Sequence, residues 1–262
     1  MQNNILNIRG SFRLPIVACI PHSSIRIPGD LRKTILLNKL ELGNELLKMT
    51  DWYVDELFAL IHEKGGVSVR FDCSRLIVDP ERFEDDSQEV MASKGMGVIY
   101  TKTSDGRKLR EDPNPSQRAA LLQRFYYPYH QAVTEAVQKT LGKFGQCLIL
   151  DCHSYPSRPL PYELDQAADR PEICLGIDPF HTPDSLAEKV KEKFSGKRLR
   201  VAYNTPFSGT FVPMRFYETD KRVSSLMIEL RRDTYMDEAN ANKLVSFKKL
   251  AEHIGQSVVS LV

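Results

Sequence analysis

No stretch of about 18 consecutive apolar residues occurs in the 262-residue chain, so the sequence offers no candidate membrane span. No CxxC or CxxxC pair is available for a structural zinc. The five cysteines, Cys19, Cys73, Cys147, Cys152 and Cys174, are odd in number and lie mostly within apolar runs. That usage suits reduced, buried thiols better than a secreted disulfide framework. The segment Met1 to Arg13 lacks the apolar core of an export signal, and together with the thiols it points to a cytoplasmic protein. An excess of charge of one sign is missing too: 36 Lys and Arg face 34 Asp and Glu, for a net +2. This is too little to draw a nucleic acid or an anionic membrane surface, although a few arginines in a pocket suffice for a small anion. There is no internal repeat, no low-complexity tract and no GxSxG turn to expose a serine nucleophile.

What is present is a globular composition, 42% hydrophobic and 27% charged. Short apolar runs at Ile16 to Pro21, Val67 to Phe71, Cys147 to Asp151, Ile173 to Ile177, Arg198 to Ala202 and Val223 to Leu230 predict strands, several of them apolar on both faces and therefore central. Amphipathic stretches lie between them. Thr50 is placed to cap a helix with the stripe Val54, Leu57, Phe58 and Ile61, ending at Gly65-Gly66. A long helical stretch from Ser116 to Lys143 should kink at Pro128, and further helices are expected from near Thr182-Pro183 and from Asp237 to the C-terminus. The alternation predicts an α/β fold with a mixed, largely parallel central sheet, helices on both faces, and active-site groups beyond the carboxyl ends of strands. Two stretches break the rhythm, near 83–117, with a hairpin around Ser104-Asp105-Gly106, and near 155–172. Both read as lids or pocket walls inserted in a single domain spanning 1–262.

Three apolar strands end in chemically capable residues: the first in His22, the CLILD strand in Cys152-His153-Ser154, and SLMIE in Glu229 with Leu230-Arg231-Arg232 beyond it. A spacing of two puts Asp151 with His153, and Glu229 with Arg231, on common faces. Cys152 faces away from His153, which argues against a cysteine nucleophile there. Taken singly, a histidine beside a strand is more often a hydrogen-bonded core residue. Asp51 precedes the inward stripe of its helix and can aim at the interior. An Asp at a helix start is also favoured for capping alone, and Asp55, one turn on, is the alternate. Two histidines, one carboxylate and a free glutamate are the set a catalytic zinc uses, but the separations along the chain form no local metal motif.

The chain resembles the N-formylglutamate amidohydrolases, also called N-formylglutamate deformylases. The likeness runs through PHSSIRIP (Pro21 to Pro28), TDWYVDELF (Thr50 to Phe58), SRLIVDPER (Ser74 to Arg82), YYPYHQAV (Tyr126 to Val133), LILDCHSYPS (Leu148 to Ser157), NTPFSGTFVP (Asn204 to Pro213) and IELRRDTYMDE (Ile228 to Glu238). The resemblance implies a phosphorylase/hydrolase-like fold related to zinc carboxypeptidases, one zinc ion, and hydrolysis of an amide beside a carboxylate. It implies His22, Asp51 and His153 as metal ligands and Glu229 as general base. Arg75, Arg82 and Arg231 would grip the carboxylates of a small acyl amino acid, because a planar guanidinium can make two parallel bonds to a carboxylate; Arg75 and Arg82 rank ahead of Arg231, for which an ion pair with Glu229 or another acidic group is the alternative. Asn204 and Gly209 resemble the loop before the base strand, where glycine lets backbone approach a ligand. His130 reads as a hydrogen-bonded core residue.

The chain also departs from the family pattern. Ser23-Ser24 replaces a serine-glycine pair after the first histidine, Glu81 stands for an asparagine, and Gly209-Thr210 for a double glycine. These positions flank the expected pocket, and a negative Glu81 there weighs against a dicarboxylate substrate. Two other readings use the same residues: a zinc peptidase or amidase acting on a larger substrate, and a non-catalytic member that binds a carboxylate. The sequence carries no statement about oligomeric state.

Overall fold

The long apolar strands pair into one mixed sheet in the computed structural model, which describes residues 5–195 and 199–262. Among these residues seven strands occur: β1 (Leu6–Gly10), β2 (Ile16–Ile20), β3 (Val67–Phe71), β4 (Cys147–Tyr155), β5 (Ile173–Gly176), β6 (Val201–Tyr203) and β7 (Val223–Arg231). Their order is β1-β3-β2-β4-β7-β5-β6. The four pairs β3–β2, β2–β4, β4–β7 and β5–β6 are parallel, whereas β1 on β3 and β5 on β7 are antiparallel. The expected largely parallel sheet is therefore present. Arg198, the expected start of the fifth apolar run, lies outside the described residues. Strand β1 was not expected, because its side chains are mostly exposed and it lacks the apolar run of a central strand.

The helices are α1 (Gly29–Arg32), α2 (Lys39–Met49), α3 (Val54–Leu57), α4 (Ala59–Glu63), α5 (Pro115–Leu121), α6 (Tyr127–Phe144), α7 (Asp184–Ser195) and α8 (Phe247–Val259). Alternation along β2 and β4 sorts the core into two layers. Val17, Cys19, Cys147 and Ile149 pack with Tyr129, Val133 and Val137 of α6 and Met49 of α2. Ile16, Ala18, Leu148 and Leu150 pack with Val54, Leu57, Ile61, Val190, Phe194, Ile254 and Val258 of α3, α4, α7 and α8. Helices thus cover both faces.

Three expected boundaries moved, each for a local reason. Thr50 does not cap the next helix; its N–H donates to the Leu46 carbonyl and closes α2, which begins in a capping box between Asn38 and Glu41. The long helix starts at Pro115 behind Asn114, and one widened turn, Leu122–Tyr126, precedes Pro128. That turn accommodates the missing proline N–H. The C-terminal helix begins at Phe247 rather than Asp237, because the Asp237 carboxylate accepts from Ala239 N and Asn240 Nδ2 and holds a turn. The expected hairpin is present, with Lys102 paired to Lys108 and Gly106 at φ +83°. Among the described residues, no helix is long and apolar enough to cross a membrane.

Candidate active site

Three adjacent parallel strands point their carboxyl ends to one edge of the sheet. Chain leaving β2 reaches His22 within two residues, β4 carries His153, and β7 carries Glu229 directly beside His153 in register. Both β4 and β7 run further than the apolar runs alone suggest, so His153 and Glu229 are held by strand pairing rather than by loops. Asp151 and His153 continue the face of Cys147 and Ile149, and the expected pairing is seen: His153 Nε2–H donates to Asp151 Oδ1 at 2.8 Å. Asp51 enters from the connection between α2 and α3, where its N–H donates to the His22 carbonyl at 3.0 Å.

These placements bring His22, Asp51 and His153 together. The two Nδ1 atoms are 3.3 Å apart, and Asp51 Oδ2 lies 3.2 Å from His153 Nδ1 and 3.7 Å from His22 Nδ1. Corners of a tetrahedron with 2.0–2.1 Å metal–ligand bonds are separated by about 3.3–3.4 Å, so the triangle has the size that a small divalent cation requires. All three side chains are buried, and their atoms form a group able to hold a metal ion. Asp55, the alternate carboxylate, is elsewhere: it pairs with Arg70 at 3.2 Å.

The outer nitrogens explain why the inner ones are free. His22 Nε2–H donates to Asp79 Oδ1 at 2.7 Å, and Asp79 Oδ2 accepts from Arg75 Nη2 at 2.7 Å and Tyr100 OH at 2.6 Å. With each Nε2 placed to give its proton to a carboxylate, the neutral form of each imidazole turns its Nδ1 lone pair inward, toward Asp51 Oδ2. Burial opposes ionisation of Asp51, but bonds from His153 and His22 and the charge of Arg232 overcome it and hold its carboxyl well below the usual range. Asp79 is likewise held far down, since Arg75 and His22 outweigh its burial.

A second group shares His153 through its other nitrogen: Glu81 Oε2 lies 3.0 Å from Nε2, beside Asp151. Burial pushes the Glu81 carboxyl up to about 7, and the neighbouring Asp151 charge adds to the rise. The His153 imidazole in turn is held well toward its charged form: Asp151 and Glu81, with Asp51, overcome its burial. Glu229 stands apart from these bonds. Its Oε2 is buried without a hydrogen-bond partner, and burial, reinforced by Asp51, pushes its carboxyl up to about 8.

The arginines divide. Arg75 is committed to Asp79 and Tyr100. Arg82 is looser, 3.7 Å from Asp79 and 3.6 Å from Glu89, and its buried Nε has no hydrogen-bond partner. Arg231 takes the ion-pair alternative: its guanidinium pairs with Glu172 at 2.9 Å and Asp233 at 2.8 Å. Asn204 sits at φ +52° and accepts from Ile177 N–H at 2.9 Å, serving a turn. Gly209, at φ +81°, presses its carbonyl into the space that a Cβ on Gly176 would fill, a close approach to β5. His130 is partly buried, donating to the Pro80 carbonyl at 2.7 Å with its ring tilted against Tyr126. Cys152 faces the opposite core layer.

Residues not singled out from sequence carry much of the organisation. Asp79 lies inside SRLIVDPER, but nothing in that string marks it as the partner of a histidine 57 residues away. Arg232, rather than its neighbour Arg231, donates to Asp51 Oδ1 at 3.0 Å. A buried arginine immediately after an apolar strand was the available signal.

Comparison with known proteins places this geometry among relatives. The family model described as N-formylglutamate amidohydrolase matches residues 14–236. The chain is 25% identical over 231 residues to the N-formylglutamate deformylase of Pseudomonas aeruginosa, covering 86% of this chain and 84% of that one. It is 23% identical to the N-formylglutamate deformylase of Pseudomonas putida, covering 86% and 83%. Among solved structures it resembles the N-formylglutamate amidohydrolase of Ralstonia eutropha JMP134 with a TM-score of 0.83, 23% identity, and coverage of 98% and 96%. A gene product of Agrobacterium tumefaciens gives 0.72 at 19% identity, covering 98% and 96%, and both likenesses are of fold.

Proposed function

Because the chain belongs to the N-formylglutamate amidohydrolase family, we propose that it is a zinc-dependent amidohydrolase. In this reading it removes a formyl or similarly small acyl group from an acidic N-acyl amino acid such as N-formylglutamate, using one domain and one ion. The observation that carries the reading is the convergence of His22 Nδ1, His153 Nδ1 and Asp51 Oδ2 beside the unpartnered Oε2 of Glu229. The curated relatives bear the deformylase name, and the donor set supports the metal.

Of the two groups that share His153, the His22–Asp51–His153 triad is the better ligand set. It offers two imidazoles and one carboxylate, a combination zinc favours, and binding would displace the proton that His153 carries on Nδ1 in the metal-free chain. In the other, His153 Nε2 already carries the proton given to Asp151, and a nitrogen cannot donate and ligate at once. Zinc held by the triad would supply Lewis acidity, polarising a carbonyl and making water acidic near neutral pH.

The remaining roles fall to the chain. Glu229 Oε2 takes a proton from the attacking water and delivers it to the amide nitrogen as the C–N bond breaks, so that a formyl substrate yields formate and the free amino acid. The apolar strand around Glu229 keeps bulk water from that oxygen. Asp79 and Asp151 hold the two imidazoles in the tautomer with Nδ1 inward. Arg82, whose Nε has no bond to give up, receives a substrate carboxylate.

The test is formate release from N-formyl-L-glutamate by purified protein, with metal content measured in parallel. Turnover should disappear with a strong chelator and return with zinc. Glu229→Gln should retain the metal and lose about 100- to 10,000-fold in kcat. Unchanged turnover in Glu229→Gln would overturn the assignment of the base. Metal retention without turnover on any small acyl amino acid would indicate a binding protein instead.

A further inference from the structure

Arg232 is the one arginine that touches the carboxylate of the triad among the described contacts, and it is nearly fully buried. It stands just after β7, in a short 3-10 turn, Arg232–Thr234. Its guanidinium reaches three separate parts of the chain. Nη2 donates to Asp51 Oδ1 at 3.0 Å and to the Ser154 carbonyl at 3.2 Å, Nε donates to Ser154 Oγ at 3.3 Å, and Nη1 donates to the Lys48 carbonyl at the end of α2. Two of these anchors adjoin triad members: Lys48 lies three residues before Asp51, and Ser154 comes directly after His153. The third site of contact is Asp51 itself.

Asp51 therefore has its two oxygens divided. Oδ2 faces the histidines, while Oδ1 is taken by the guanidinium. A carboxylate held this way offers a metal one oxygen and not two. The same fork spans from the α2 end to the β4 end, so it also fixes how far Asp51 stands from His153. His22 is braced independently through Asp79. We propose that Arg232 is the positioning residue of the metal centre: it presents Asp51 as a single-oxygen ligand and sets its spacing from His153. This rests on the metal-centre reading above.

The experiment measures zinc affinity of the full-length protein by competition with a chelating dye, alongside the thermal midpoint of the metal-free protein. Arg232→Gln should weaken zinc binding about 10- to 100-fold, the range typical of residues that orient ligands. Arg232→Lys, which keeps the charge but reaches one acceptor at a time, should recover part of that loss. Ser154→Ala, which removes one anchor of the fork, should cost about two- to fivefold. With cobalt(II) in place of zinc, the Gln variant should show weaker visible absorption, because Asp51 Oδ1 is released and the coordination number rises. If Arg232→Gln is not recovered folded, the Lys and Ala variants decide the matter in the same assay. A lower metal-free midpoint with zinc affinity and cobalt spectrum unchanged in every folded variant means that Arg232 is structural only, and the proposal fails. If the wild type itself binds no zinc, it is the metal-centre reading that fails, and the two failures are thereby told apart.

Discussion

Replacing Asp79 by alanine should be among the most damaging single changes in this protein, even with no metal present. Asp79 is fully buried and accepts from His22 Nε2, Arg75 Nη2, Tyr100 OH and the Glu81 N–H, at 2.7, 2.7, 2.6 and 3.1 Å. Alanine leaves the Arg75 guanidinium, itself only 12% exposed, without its carboxylate. Removing one partner of a buried ion pair costs about 3–5 kcal/mol, because the other charge stays desolvated and unpaired. At about 2–4 °C per kcal/mol for a chain of this size, the thermal midpoint should fall by about 10 °C or somewhat more. Tyr100→Phe is the control. It removes one of the donors to Asp79 Oδ2 and leaves Arg75 in place, so it should cost about 1–2 kcal/mol. Urea denaturation of chelator-treated protein keeps metal loss out of the measurement, and a zinc titration then reports separately on His22. A loss below about 1 kcal/mol for Asp79→Ala, or one no larger than for Tyr100→Phe, would refute the reasoning that a buried charge is stranded.

Side chains outside the triad carry three further expectations. Burial raises the Glu45 carboxyl above its ordinary value, and the bonds from Ser104 N–H and Oγ only partly oppose this. A raised folded-state pKa means that folding disfavours the ionised form, so the contribution of Glu45 to stability is greatest below about pH 4.5 and declines as pH rises through its folded-state value. Glu45→Gln does not titrate, and the stability difference should therefore move in its favour from about pH 4.5 upward; a difference constant from about pH 4 to 8 contradicts this. Arg82→Ala should raise KM for N-formylglutamate by about 10- to 100-fold through loss of a charge-assisted bond, whereas Arg231→Ala, already paired with Glu172 and Asp233, should change it by less than about threefold; the reverse order in steady-state kinetics would restore Arg231 to the pocket. Gly176→Ala should cost at least about 1–3 kcal/mol in denaturant melts, since its Cβ would overlap the Gly209 carbonyl and the Met227 side chain, and wild-type stability in that variant would show that the loop is free to yield.

The sheet was legible because central parallel strands are apolar on both faces, as IVACI and CLILD are. The residues at the carboxyl end of such a run were legible as well, since a His or Glu at the tip of a buried strand stands out against its neighbours. Edge strand β1 was not, because half-exposed LNIRG has no such contrast. Asp51 was found on the wrong local argument. Its neighbour Thr50 closes the preceding helix instead of opening the next one, and Asp51 is aimed inward by the His22 carbonyl and by Arg232. The partners of the histidines could not be read, because the pairings His22–Asp79 and Asp51–Arg232 join residues 57 and 181 positions apart. Only the folded strand order brings them into contact. That Arg232 reaches Asp51 could not be read for a related reason. Period-two alternation correctly separates the two side chains, but which of them meets the ligand set depends on the turn at Arg232–Thr234, where the strand ends.

The proposed metal ligands are open to direct measurement. Zinc content per chain, determined by atomic absorption after equilibration with zinc and gel filtration, should be one for the wild type and for Glu81→Ala, and near zero for His22→Ala and Asp51→Ala. Full zinc occupancy in His22→Ala or Asp51→Ala, or its loss in Glu81→Ala alone, would place the ion on the other side of His153 and contradict the triad as its ligand set.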